Sequence, residues 1–100
     1  MLNTIFSEIE VSDKPILRII FRNNVTRIAI IGLKKGMRLV DHQLPVDARI
    51  IMLEGEIEID SKIEIINLKK FNEYEIPRKV IHQVRTNENA MLMIILNFES

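Results

Sequence analysis

Gly36-Met-Arg-Leu-Val-Asp-His42 and Pro77-Arg-Lys-Val-Ile-His82 stand on either side of the alternating stretch Glu56-Ile-Glu-Ile-Asp-Ser-Lys-Ile-Glu-Ile65. Each outer segment ends a strand-like run on a histidine, and the chain has only these two histidines. Period two in the middle segment predicts a hairpin joined around Asp60-Ser61. It would place Ile57, Ile59, Ile63 and Ile65 on one face and the charged residues on the other. Glu56, Glu58 and Asp60 then read as solvated strand positions rather than a cation site, since charged side chains belong on the wet face. Glu54 and Glu56, flanking Gly55, read the same way.

Outward from this stretch, further strand patterns cover 16–21, 26–33, 37–42, 49–53, 80–86 and 90–98, and the hairpin supplies 56–60 and 62–68. Many short strands at close spacing indicate a sandwich or barrel. Asn23-Asn24 reads as a turn, because asparagine tolerates left-handed backbone, and residues 32–36 read as the next. In Ile28-Ala-Ile-Ile31, Ile50-Ile-Met-Leu53 and Met91-Leu-Met-Ile-Ile-Leu96 both alternation phases are apolar, so both strand faces should leave water. A second sheet can cover one face. The remainder predicts a homodimer.

Composition agrees with an all-β domain. Isoleucine and valine outnumber leucine and alanine, and β-branched side chains suit a pleated surface better than a helix. At 100 residues the chain is the size of one domain, spanning 1–100. Fourteen basic residues balance fourteen acidic ones, so no net field favours nucleic acid or an anionic membrane as a partner. No apolar run approaches the ~20 residues of a membrane helix. The absence of cysteine removes disulfides and thiolate ligands, and residues 1–10 lack a basic stretch followed by an apolar core, so a cytoplasmic protein is expected. There is no phosphate-binding glycine loop, zinc-protease helix motif or serine-hydrolase elbow.

The two histidine segments together resemble the cupin superfamily, in particular the small single-domain cupins of the bacterial and archaeal type. The first cupin motif runs glycine, histidine, histidine, glutamate, glycine; here its positions hold Gly36, His42, Leu44, Ala48 and Gly55. The second runs glycine, proline, glycine, histidine, asparagine; here Phe71, Pro77, Lys79, His82 and Thr86 stand at those positions. The strand ending Leu53-Glu-Gly-Glu56, the Ile76-Pro77 pair and Pro45-Val-Asp-Ala48 also resemble cupin sequences. The resemblance covers 36–86 and implies a cupin-type double-stranded β-helix, a jelly-roll barrel. Phenylalanine suits φ > 0 poorly, so the turn at the second motif is expected to fall to Asn72.

The same resemblance implies four metal ligands, of which two are replaced by residues without donor atoms, Leu44 and Ala48. His42 and His82 would be the remaining metal ligands. Two imidazoles hold a metal weakly, so no cofactor is expected beyond at most a weakly bound divalent transition metal. Period two then proposes a barrel lining. Inward positions on the first arm are His42, Leu44, Ala48, Ile50 and Met52, and on the second Val80, His82 and Val84, with Tyr74 at the rim. Each histidine is open to three roles: a hydrogen-bonded core residue, a pocket group or a metal ligand. A binding or sensing module that holds a small-molecule ligand in a mostly apolar pocket is the leading expectation. A metal-dependent dioxygenase or isomerase using His42 and His82 is the alternative, and a purely structural or protein-interaction barrel is a third.

Overall fold

Alternation along the chain produces strands, and the strands pair into two antiparallel sheets. The computed structural model describes residues 1–42, 45–61 and 63–98, and for 40–42 the backbone alone. Helix α1 (Leu2–Ile9) precedes β1 (Ile16–Arg22), β2 (Thr26–Leu33), β3 (Arg38–His42), β4 (Ala48–Glu54) and β5 (Ile57–Ser61). Then follow β6 (Ile65–Leu68), β7 (Glu73–Ile76), β8 (His82–Arg85) and β9 (Ala90–Asn97). One sheet has the order β1-β2-β9-β4-β7, the other β3-β8-β5-β6. From β2 onward the chain keeps crossing between the sheets, staying in one only for the β5-β6 hairpin, which winds it into the all-β double-stranded β-helix expected. Between the sheets Leu33, Met52, Ile57, Ile59 and Leu68 form the heart of the core. Among the described residues no helix is long and apolar enough to cross a membrane.

The helix has no counterpart among the expected elements. Ile5 and Ile9, one turn apart, are fully buried against Ile30 and Met91, with Phe6, Ile16, Leu53 and Met93 around them. These are residues of the second apolar phase of β2, β4 and β9, so the outer face of the larger sheet finds part of its cover within the chain. Eight residues are too few for a helix to persist on propensity alone, and packing supplies the stability. Gly32 permits the approach: a Cβ there would lie 2.9 Å from Ile9 Cγ1. Arg18 Nη2 on β1 donates to Glu8 Oε2 of the helix at 2.5 Å.

The central hairpin forms with its turn displaced. Ser61 N donates to Glu64 O at 3.0 Å, and the Ser61 hydroxyl accepts from the Ile63 and Glu64 amides. Ile59 therefore pairs with Ile66, and Ile57 with Leu68. Moving the turn changes parity, so the inner residues of β6 are Ile66 and Leu68, while Ile63 and Ile65 are 84% and 59% exposed. The expectation that Ile63 and Ile65 share the buried face is thus corrected. β7 is also new. Its Glu-Tyr-Glu-Ile pattern is short and charged, and it pairs with β4 at the sheet edge, where Arg49 Nη1 donates to Glu73 Oε1 at 2.7 Å.

All four glycine positions of the two motifs keep left-handed backbone. Gly36 and Gly55 have φ of 89° and 77°, and Phe71 and Lys79 have 71° and 62°. The turn is therefore made by Phe71 itself and not by Asn72. Its amide donates to Met52 O at 2.8 Å, while Asn72 Oδ1 accepts from the Lys69 amide at 2.9 Å. Left-handed φ costs a non-glycine residue about 1–2 kcal/mol, which the surrounding hydrogen bonds offset. Thr86, at the asparagine position, donates from its hydroxyl to Glu56 O at 2.8 Å and so ties the end of β8 to the entry of β5.

Candidate functional site

Register sets up a layered wall. Arg27 on β2 is opposite Leu96 on β9, Leu96 is opposite Ala48 on β4, and Ala48 is opposite Ile76 on β7. The next row inward is Ala29, Ile94, Ile50 and Tyr74, and the one after it Ile31, Leu92 and Met52. Directly opposed residues share a sheet face, so these rows look toward the second sheet. There Leu39 on β3 pairs with Val84 on β8, and His82 follows two residues before Val84. The space between is not filled. A cavity of about 280 Å³ remains, walled by Ala29, Ile31, Ile50 and Ile94 on one side and Leu39 and Val84 on the other. Leu17 and Ile19 of β1 stand at its mouth, 62% and 45% exposed.

Two polar side chains reach this cavity among the described residues, His82 and Arg27. His82 is 6% exposed, and its Nδ1 lies 3.0 Å from Val80 O. That contact fixes the ring plane. His82 also borders a smaller hollow of about 70 Å³, with Val80, Pro77, Ile76 and Tyr74 around it. The Tyr74 hydroxyl donates to Glu64 Oε1 at 2.9 Å, and burial together with this carboxylate raises the phenol above its ordinary value. Asp47 Oδ1 accepts from the Arg78 amide at 2.8 Å and from its Nε at 3.3 Å, which holds the carboxyl below the usual carboxylate range.

The expected lining residues are distributed over both hollows and the core. Ile50, His82 and Val84 wall the larger cavity; Val80, His82 and Tyr74 border the smaller one. Ala48 and Met52 face inward but are packed within the core cluster. His42 and His82 are register partners across β3 and β8, so the histidine strands are neighbours. The side chain of His42 and the whole of Leu44 lie outside the described residues. Sequence reasoning missed the contributions of β1, β2 and β9, because both phases of β2 and β9 are apolar and neither marks the inner face. One signal was available. Arg27 shares parity with Ala29, Ile31 and Leu33, a lone charge in an otherwise apolar phase.

The donor set does not fit the four-ligand metal centre that the resemblance implies. Ala48 stands at the carboxylate position with no donor atom and is 2% exposed within the core. Among the described residues no three histidine, cysteine or carboxylate side chains gather closely enough to hold a metal ion. A larger open groove of about 540 Å³ lies beside β5 and β8, but its charges are solvated and Arg85 there is already paired with Glu58. The apolar cavity is the better candidate, since ligand sites are enclosed, mostly apolar and carry a few placed polar groups.

No family profile matches the sequence, and no curated protein sequence does. Solved structures do match. A cupin-2 domain protein from Shewanella frigidimarina NCIMB 400 is 26% identical, with 97% of this chain and 92% of that chain covered at a TM-score of 0.77. A cupin superfamily protein from Desulfitobacterium hafniense DCB-2 superposes with a TM-score of 0.81 at 15% identity over 88% of this chain and 81% of the other. An RmlC-like cupin with a double-stranded β-helix fold from Methanocaldococcus jannaschii gives 0.76 at 15% identity, covering 86% and 82%.

Proposed function

We propose that this chain, a small cupin-domain protein, is a cytoplasmic binding or sensing module that holds a small, largely apolar molecule between its two sheets. The observation that carries the reading is the 280 Å³ cavity with an almost entirely aliphatic wall. Interiors normally pack to crystal-like density, so a void of this size in a chain of 100 residues is a cost unless something fills it. Titration with a neutral, environment-sensitive dye should give saturable binding of about one dye per chain. Ala29→Trp, which projects an indole into the void, should abolish it. Absence of saturable binding by the unaltered protein would overturn the proposal.

Pairing of two copies through β1 belongs to the same reading. β1 is an edge strand, and Leu17, Ile19, Ile20 and Phe21 leave both of its faces exposed and apolar. Such an edge is a template for another chain, and with zero net charge two copies do not repel at long range. A second copy seated there would cover Leu17 and Ile19 and so close the cavity mouth. Light scattering at micromolar concentration should give the mass of two chains; the mass of one would remove the dimer.

A further inference from the structure

The cavity has one feature that an apolar guest leaves unsatisfied. Arg27 Nε has no accessible surface and no hydrogen-bond partner among the described residues. A buried donor without an acceptor costs roughly 1–3 kcal/mol, and more when charged. Arg18, Arg49, Arg78 and Arg85 each face a carboxylate, whereas Arg27 takes part in none of the ion pairs among the described residues. No acidic side chain walls the cavity among those residues. The Phe98 ring packs against the guanidinium, with Arg27 Cζ 5.1 Å from its centroid. Stacking engages a face of the planar fork and leaves its edge for an anion.

A second arginine is brought to the same place by a defect in the strand. Leu17 and Ile19 point to the cavity, so plain alternation would turn Phe21 inward and Arg22 outward. Instead the register shifts between Ile19 and Phe21, where Ile20 is the extra residue, and Arg22 comes opposite Arg27. Bulges re-aim side chains in this way. Like charges in directly opposed positions repel across a strand pair, and neither arginine has a carboxylate partner among the described residues. An anion placed between them offsets the repulsion of the two guanidinium charges.

We infer that the ligand is an apolar monocarboxylate, its hydrocarbon body lying between Ile31, Ile50, Leu92 and Ile94 and its carboxylate clamped by the Arg27 guanidinium at the cavity mouth, with Arg22 beside it. This rests on the reading that the cavity binds a small molecule, and it specifies the head group. Octanoate and 1-octanol share a body and differ in charge, so displacement of the neutral dye by each separates the two claims. The unaltered protein should bind octanoate at least ~10-fold more tightly than octanol, the range expected of a charge-assisted fork. Arg27→Gln should remove that preference, Arg27→Lys should keep part of it, and Arg22→Gln should weaken it less. Dye binding with octanol as good as octanoate would overturn the carboxylate assignment and leave the binding reading standing. Failure of all three probes to bind the unaltered protein would overturn both. The comparison in the unaltered protein depends on no variant being folded.

Discussion

The two sides of the barrel interior are built from the same kind of residue and end in opposite states. On β4, β5 and β6, the side chains of Met52, Ile57 and Leu68 are at most 4% exposed and pack into the core cluster. Around β1, β2 and the second half of β9, Ala29, Ile94 and Leu96 face a void. Hydropathy does not distinguish the two. Geometry does: on the filled side Ile57 and Leu68 are register partners, facing Met52 from the other sheet, whereas on the hollow side β2 presents the small Ala29 and its neighbour β1 is an edge strand with exposed side chains. Packing density, more than polarity, marks where this fold keeps a site.

Truncation tests the contrast most strongly. Met52→Ala should cost about 2–5 kcal/mol, because a fully packed site loses transfer energy and gains a cavity. Leu96→Ala, at the edge of an existing void, should cost about 1 kcal/mol by urea denaturation, since the cavity term is already present. Equal losses would break the comparison. Enlargement is the converse. Ala90→Leu, with no free space, should destabilise by about 1–3 kcal/mol, while Ala29→Leu should be neutral or stabilising and weaken dye binding.

A smaller effect concerns the backbone that frames both regions. Phe71 is 76% exposed and left-handed, so Phe71→Gly relieves strain with little loss of packing and should raise stability by about 0.5–1 kcal/mol. A lowered urea midpoint would show that its contact with Lys70, at 5.3 Å from ring centroid to Nζ, outweighs the strain. The smallest effect is spectroscopic. Tyr74 is the only tyrosine and there is no tryptophan, so tyrosinate absorbance reports it alone. Its titration should lie above 10.0, and Glu64→Gln should lower it. Because the folded value is raised, the associated stability is complete below the unfolded tyrosine range and declines as pH climbs through it.

Alternation on an isoleucine-rich background was enough to indicate a sandwich or barrel, and the resemblance carried by Gly36, His42, Gly55, Pro77 and His82 narrowed it to the double-stranded β-helix, because period two and motif register are local properties of the chain. Even the departures at Phe71 and Lys79 kept the backbone conformation of the glycines they replace. Tertiary structure decided the rest. Helix α1 was illegible because eight residues become helical only when Ile5 and Ile9 find Ile30 and Met91. The inner face of β6 depended on a turn held by the Ser61 hydroxyl. The pairing of Arg22 with Arg27 depended on a bulge at Ile20, which no alternation pattern encodes. A strand's sequence states that one face is apolar, but which neighbour that face meets, and whether the space between them is filled, is fixed only when the sheets pack.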